Sequence, residues 1–155
     1  MPDESASHTP ATGPSFKFDA KRWTKIDRNV GIASLVFFIS LFLPWFGASY
    51  SIYGASVDGL WHGYMYLTLI ISLVLIVYLI LLAGLEKLPF KLPIAHRQAI
   101  LIATGIDFLL ALISFLTKPG GTSWQYGAYV GLIAAAVAVA PFVLPAIRAR
   151  RAAKS

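Results

Sequence analysis

No cysteine occurs in the 155 residues, which excludes disulfides, thiolate nucleophiles and thiolate-bound metal. A quinone-linked membrane disulfide oxidoreductase is excluded with them, because that chemistry runs through cysteine pairs. Charge is equally scarce. Asp, Glu, Lys and Arg make up 13% of the chain against 57% hydrophobic residues, and the mean hydropathy of +0.71 places it in the membrane class. Histidine occurs three times, as His8 in a polar tail and His62 and His96 at opposite ends of the apolar region. The latter two are separated by roughly 30 Å, the thickness of a hydrocarbon core, so they cannot share a haem or metal within one chain. No phosphate-cradling glycine loop, nucleophile elbow or zinc-protease motif is present. Asp58 and His62 are four apart, but Gly59 and Gly63 weigh against the helix that would bring them together as an acid–base pair. No cofactor, metal or enzymatic activity is expected.

What the chain does have is long apolar runs. Val30–Phe46, Tyr64–Leu85, Ala99–Leu116 and Tyr126–Ile147 are each long enough to cross a bilayer, the first marginally. Backbone groups in lipid must satisfy one another, so these runs predict helices and an all-α, four-helix transmembrane bundle over residues 30–147. Of the 13 Lys and Arg, five precede the first run, three lie between the second and third, and four follow the last, leaving Lys118 alone on the other side. This asymmetry predicts a multi-pass protein of the cell membrane with both termini cytoplasmic. The positive charge is therefore read as a topology signal, and nucleic acid is not an expected partner. Ile32–Leu43 also has the length of a signal-peptide core, but the basic stretch ahead of it and the Trp45-Phe46 pair behind it favour a retained helix.

Flanking segments divide by composition. Residues 1–15 are polar and aperiodic, and a disordered tail is expected. Over 16–29, Phe16, Ala20 and Trp23 fall on one side of a helical wheel and Lys17, Lys21, Lys25 and Arg28 on the other. Phe18 and Asp27 are misplaced on it. Such a segment either lies on the inner leaflet against anionic lipid headgroups or merely fixes orientation. Residues 148–155 form a basic cytoplasmic tail.

Asp107 is the one charged residue inside the four runs. On a helix it shares a face with Ala103, Thr104, Ala111 and Ser114, so it points into the bundle. With no cation at its depth, a neutral carboxyl bonded to Ser34, Ser40 or Ser72 is expected. On the last helix Gly127, Gly131, Ala135 and Ala138 make a small-residue ridge, read first as packing within the bundle and second as a dimer face. The Pro119-Gly120-Gly121 sequence marks a turn before it. Between the first two runs, alternation around Tyr50 and Ile52, with Gly54-Ala55 turning back to Ser56–Asp58, predicts a small β-hairpin. Trp45, Tyr50, Tyr53, Asp58, Trp61 and His62 mark this outer region as an aromatic belt or partner surface.

LFLPWFG, GLWHGYMYL and FLTKPGG-x5-YGAYVGLIAA resemble a set of small four-helix integral membrane proteins of actinobacterial type, over most of residues 30–140. The resemblance implies the fold and carries no assigned chemistry. Trp45 followed by Gly59-Leu60-Trp61 is also similar to the W…GLW signature of claudin-type proteins. Here the spacing is shorter and the cysteine pair is missing, so the similarity is read as an accident of composition.

Two function classes follow. In the preferred one the protein is a non-enzymatic accessory or scaffold subunit that binds other membrane proteins or itself, with Asp107 as a polar staple. In the alternative it is a small proton-coupled transporter acting as an oligomer through Asp107. Topology is testable at once. Single cysteines at Ser56 and Ser123 should react with an impermeant thiol reagent on intact cells, and one at Ser155 should not. The reverse pattern would invert the orientation.

Overall fold

A computed structural model describes residues 16–48, 56–85 and 93–153. Helix α1 (Lys25–Ser40) leads into strand β1 (Pro44–Ala48). Strand β2 (Ser56–Asp58) and helices α2 (Met65–Gly84) and α3 (His96–Leu116) follow, then strand β3 (Thr122–Trp124) and helix α4 (Tyr126–Ala152). A single 3-10 turn, Ala20–Arg22, precedes α1. The protein is thus mostly helical, with one small sheet. The α1 helix packs on α2 and α4, and α3 packs on the same two, so the four helices close a ring. Among them α2, α3 and α4 are long and apolar enough to cross a membrane.

The first helix departs from expectation. Its sixteen residues span about 24 Å at 1.5 Å per residue, short of a 30 Å core. It begins at Lys25 and ends at Ser40, whereas hydropathy alone marks Val30–Phe46. The start is set by a capping box: Thr24 accepts from the Asp27 amide, and the Asp27 side chain accepts from the Thr24 amide. Pro44 sets the end, since it has no N–H and forces the preceding residue out of helical geometry. The chain turns through Leu41–Leu43 and becomes β1.

β1 is the middle strand of the order β2-β1-β3, antiparallel to both neighbours. Ser56–Asp58 is a strand, as the alternation predicts. Its partner, however, is Pro44–Gly47, because part of the expected first helix is itself strand. Residues 49–55, including Tyr50, Tyr53 and the proposed turn at Gly54-Ala55, lie outside the described residues. β3 has no counterpart in the sequence reading. It forms because Gly121, at φ 74°, reverses the chain after Lys118-Pro119 and lays Thr122–Trp124 along β1. The sheet covers one end of the bundle, called the sheet end below.

Trp45 is a second departure. It sits in the register irregularity between Pro44 and Phe46, and both aromatics are fully buried rather than exposed at a headgroup belt. The Trp45 indole donates to the Ser40 carbonyl at 2.7 Å, and the Gly59 amide donates to the Leu41 carbonyl at 2.9 Å. The Gly59 bond caps a carbonyl just past the end of α1, and the indole adds a second donor to the Ser40 carbonyl, which also accepts from the Leu43 amide. The α4 ridge makes room for the ring. A Cβ at Gly131 would stand 2.4 Å from Trp45 Cζ2, and one at Gly127 would stand 2.5 Å from the Pro44 carbonyl oxygen. Within the chain the ridge is used for packing, the first of its two readings.

At the opposite end, residues 16–29 do not form one amphipathic helix. The Lys17 and Asp19 amides donate to the Gly84 and Ala83 carbonyls at 3.0 Å each, and the Trp23 indole donates to the Leu79 carbonyl at 2.8 Å. The main chain is drawn into an extended strap because the end of α2 needs donors. Lys17, Lys21, Lys25 and Arg28 remain exposed.

Gly131→Val should lower the thermal stability of the detergent-solubilised protein by about 1–3 kcal/mol, the usual effect of overpacking. Gly63→Ala, where a Cβ meets nothing within 4 Å, should leave it unchanged.

Candidate functional site

The polar side chains converge on one seam, between α2 and α3. Antiparallel packing brings Ser72 and Tyr78 of α2, and His62 in the loop before it, against Asp107, His96 and Ser114 of α3. The pattern on α3 is the one its sequence predicts: Ile100, Thr104, Asp107, Ala111 and Ser114 are buried, while Leu101, Leu109 and Ile113 face outward.

Mid-seam, the Ser72 hydroxyl donates to Asp107 Oδ2 at 2.9 Å. Asp107 is 3% exposed, and its Oδ1 is buried with no partner among the described residues. Of the three serines the sequence offers, Ser72 is the one that reaches the carboxyl, while Ser40 donates instead to the Phe37 carbonyl. Thr104 and Thr68 are buried beside this pair, but each hydroxyl donates to its own helix, at the Ile100 and Met65 carbonyls. They neutralise themselves and extend no chain of hydrogen bonds.

Toward the sheet, Ser114 and His62 Nδ1 lie 3.2 Å apart, and the imidazole stacks on Tyr64 and meets Phe46 edge-on. Tyr64 and Thr117 add a hydroxyl pair at 3.2 Å. His62 thus belongs to the seam. Asp58 is exposed and instead accepts from the Leu60 amide two residues on, a local turn contact, so the two do not pair. Trp61 is exposed, at 59%, and so is Trp124, whose indole donates to the Phe115 carbonyl and whose ring lies under Lys118. Of the expected outer surface, then, Trp61 and Asp58 are exposed, His62 is half-buried and Trp45 is buried.

The third tier, at the end away from the sheet, is absent from the sequence reading. Tyr78 of α2 and His96 Nδ1 are 2.6 Å apart, and His96 Nε2 is 3.0 Å from Asp27 Oδ1. The other Asp27 oxygen accepts from the Thr24 amide and hydroxyl. Three helices are tied at one point. Asp27 appears misplaced on an amphipathic wheel, yet Thr24-Lys25-Ile26-Asp27 is a capping-box pattern that marks both the helix start and an inward carboxylate. That signal was available. The partnership with His96, 69 residues away, was not.

A carboxylate accepts only, so His96 donates from Nε2 to Asp27; in the neutral imidazole Nδ1 then accepts from the Tyr78 hydroxyl, and in the imidazolium it donates to the Tyr78 oxygen. Rising 1.5 Å per residue, the tiers at His96 and Asp107 stand about 16 Å apart, and those at Asp107 and Ser114 about 10 Å. No side chain of one tier is bonded to the next.

Comparison with protein-family models, with curated proteins and with solved structures returns no match. The likeness to small actinobacterial membrane proteins accordingly rests on the quoted motifs.

Removing the imidazole should be felt unequally. His96→Ala strips a charge-assisted partner from buried Asp27 and should cost about 1.5–3 kcal/mol, whereas His62→Ala loses a neutral contact worth about 0.5–1.5 kcal/mol. Melting of the two variants in the same detergent checks the order, and equal losses would deny the inner tier its special weight.

Proposed function

We propose that the protein is a non-enzymatic accessory or scaffold subunit of a cell-membrane complex, and that its polar seam serves cohesion. The observation that supports this most is the separation of the tiers. The hydrogen bonds of each stay within it, with intervals of roughly 10–16 Å between them, too long for direct proton transfer. A polar group in the hydrocarbon of a bundle is used most simply as helix–helix glue.

In this reading α1 is the fourth crossing. It is completed by Leu41–Ala48, whose backbone is bonded by the Gly59 and Gln125 amides and by the neighbouring strands. Both termini face the cytoplasm. The exposed Lys17, Lys21, Lys25 and Arg28 meet anionic headgroups of the inner leaflet, and Arg148, Arg150 and Arg151 join them. The partner surface is the sheet end, where Trp61, Trp124, Tyr126 and Tyr129 stand exposed. Aromatics with one wet edge suit both headgroups and protein contacts.

The unpartnered Asp107 Oδ1 favours one second reading, a proton-coupled carrier, because a buried acceptor with a free oxygen is what a titrating carrier presents. One pair of variants separates the two. Under the subunit reading Asp107→Asn, with the same shape and a donor as well as an acceptor, should assemble and co-purify with the native partners as the parent does. Asp107→Ala should lose about 0.6 kcal/mol or somewhat more. An Asp107→Asn variant that assembles normally while an Asp-dependent proton flux in liposomes disappears would establish the carrier instead.

A further inference from the structure

Where α1 packs along α4, an outward groove of about 430 Å³ opens between them. Ala33 and Ala134, both buried, form its floor, while Ile32 and Val36 of α1 and Ile133 and Val137 of α4 stand exposed as its walls. Asn29 lines the mouth away from the sheet, and from there to Val36 the groove runs about 10 Å at 1.5 Å per residue. What lies beyond that mouth decides what the groove can hold. In helical steps of three and four, the stripe of Val36, Ile32 and Asn29 continues to Arg28 and Lys25. On α4 the stripe of Ile133 and Val137 continues through Pro141 and Leu144 to Arg148. Both walls pass from apolar to cationic toward the same end.

Lys25, Arg28, Asn29 and Arg148 are all exposed, and their side chains bond no acceptor among the described residues. The one acidic residue of α1, Asp27, is buried and committed to Thr24 and His96, so it does not offset them. We propose that this groove is a binding site for one anionic phospholipid. An acyl chain lies between α1 and α4, the phosphate sits between Lys25 and Arg28, and the Asn29 amide donates to an ester carbonyl of the lipid. Basic pockets between membrane helices hold phosphate headgroups in this way. Charge decides against the other occupants. A zwitterionic lipid brings an ammonium toward three cations, and a second copy related by a twofold axis along the membrane normal sets those cations against their own images. The inference deepens the headgroup contact of the reading above, from a general attraction to a stoichiometric site. It rests on that reading for the placement of the bundle in lipid, and not for any protein partner.

The test uses the whole protein in phosphatidylcholine nanodiscs doped with phosphatidylglycerol that carries a diazirine on one acyl chain. Phosphatidylcholine with the same diazirine chain is the comparison. Both leaflets have one composition and no other protein is present, so neither orientation nor a missing partner enters the result. Crosslinking by the anionic probe should saturate and map to the groove residues of α1 and α4, and the zwitterionic probe should not saturate. Lys25→Gln with Arg28→Gln should weaken saturable binding about thirtyfold, the weight of two cations near an anionic headgroup. Lys17→Gln with Lys21→Gln removes the same charge at the same end, off the stripe, and should leave it unchanged. Val36→Trp, at an exposed wall position, should abolish it, and Ile133→Trp on the opposite wall should do the same, with melting as in the parent. Equal losses in the two double variants would leave only a diffuse attraction and overturn the proposal. Saturable binding of both probes alike, or labelling untouched by both tryptophans, would overturn it too. So would a dimer in native mass spectrometry that Val36→Trp dissociates while no lipid is retained.

Discussion

An apolar helix gains nothing by leaving lipid for another apolar helix, so a bundle in a membrane must be held by close contact and by polar bonds. The two halves of this protein divide those means between them. The α1–α4 pair uses contact: the glycines of α4 bring its backbone against Pro44 and the Trp45 ring, and nothing larger than hydrogen fits. The α2–α3 pair uses hydrogen bonds, one tier near each end and one in the middle. The ring closes because Asp27 of α1 reaches the inner tier and the sheet joins the ends of α1 and α4.

The same economy governs the helix ends. Terminal carbonyls cannot be left to hydrocarbon, and the ends of α1 and α2 receive donors from elsewhere in the chain. Trp45 and Gly59 serve α1, while Lys17, Asp19 and Trp23 serve α2. Segments that look like a belt and a basic anchor are in this way part of the folded core's accounting of hydrogen bonds. A single apolar cluster could not do this, since Val30, Leu75, Leu79 and Ile100 pack at one end and Phe37, Leu41, Trp45 and Met65 at the other.

Legibility followed the range of the cause. The face of α3 and the ridge of α4 are set by neighbours three and four residues away, and both are as the sequence reads them. The limits of α2 and α3 agree to within three residues, because hydropathy changes sharply there, whereas α4 continues five residues past Ile147 into the expected basic tail, to Ala152. What failed was set by distant partners. Trp45-Phe46 is an interfacial pattern until Gly59 and Gly131 make a pocket for it. Residues 16–24 look amphipathic until the carbonyls of Ala83 and Gly84 claim their amides. β3 is three residues with no alternation of its own. Asp27 alone departs against a local signal: the wheel makes its charge an outlier, while the capping box with Thr24 places it at the start of α1.

The account depends most on the Ser72–Asp107 bond being a cohesive contact in the membrane. A double-mutant cycle with Ser72→Ala and Asp107→Ala, measured as reversible unfolding in lipid bicelles, isolates it. The predicted coupling is about 0.6 kcal/mol, and up to about 1.7 kcal/mol for a pair this buried. Strict additivity of the two substitutions would contradict the account, leaving Ser72 and Asp107 as neighbours that do nothing for the bundle.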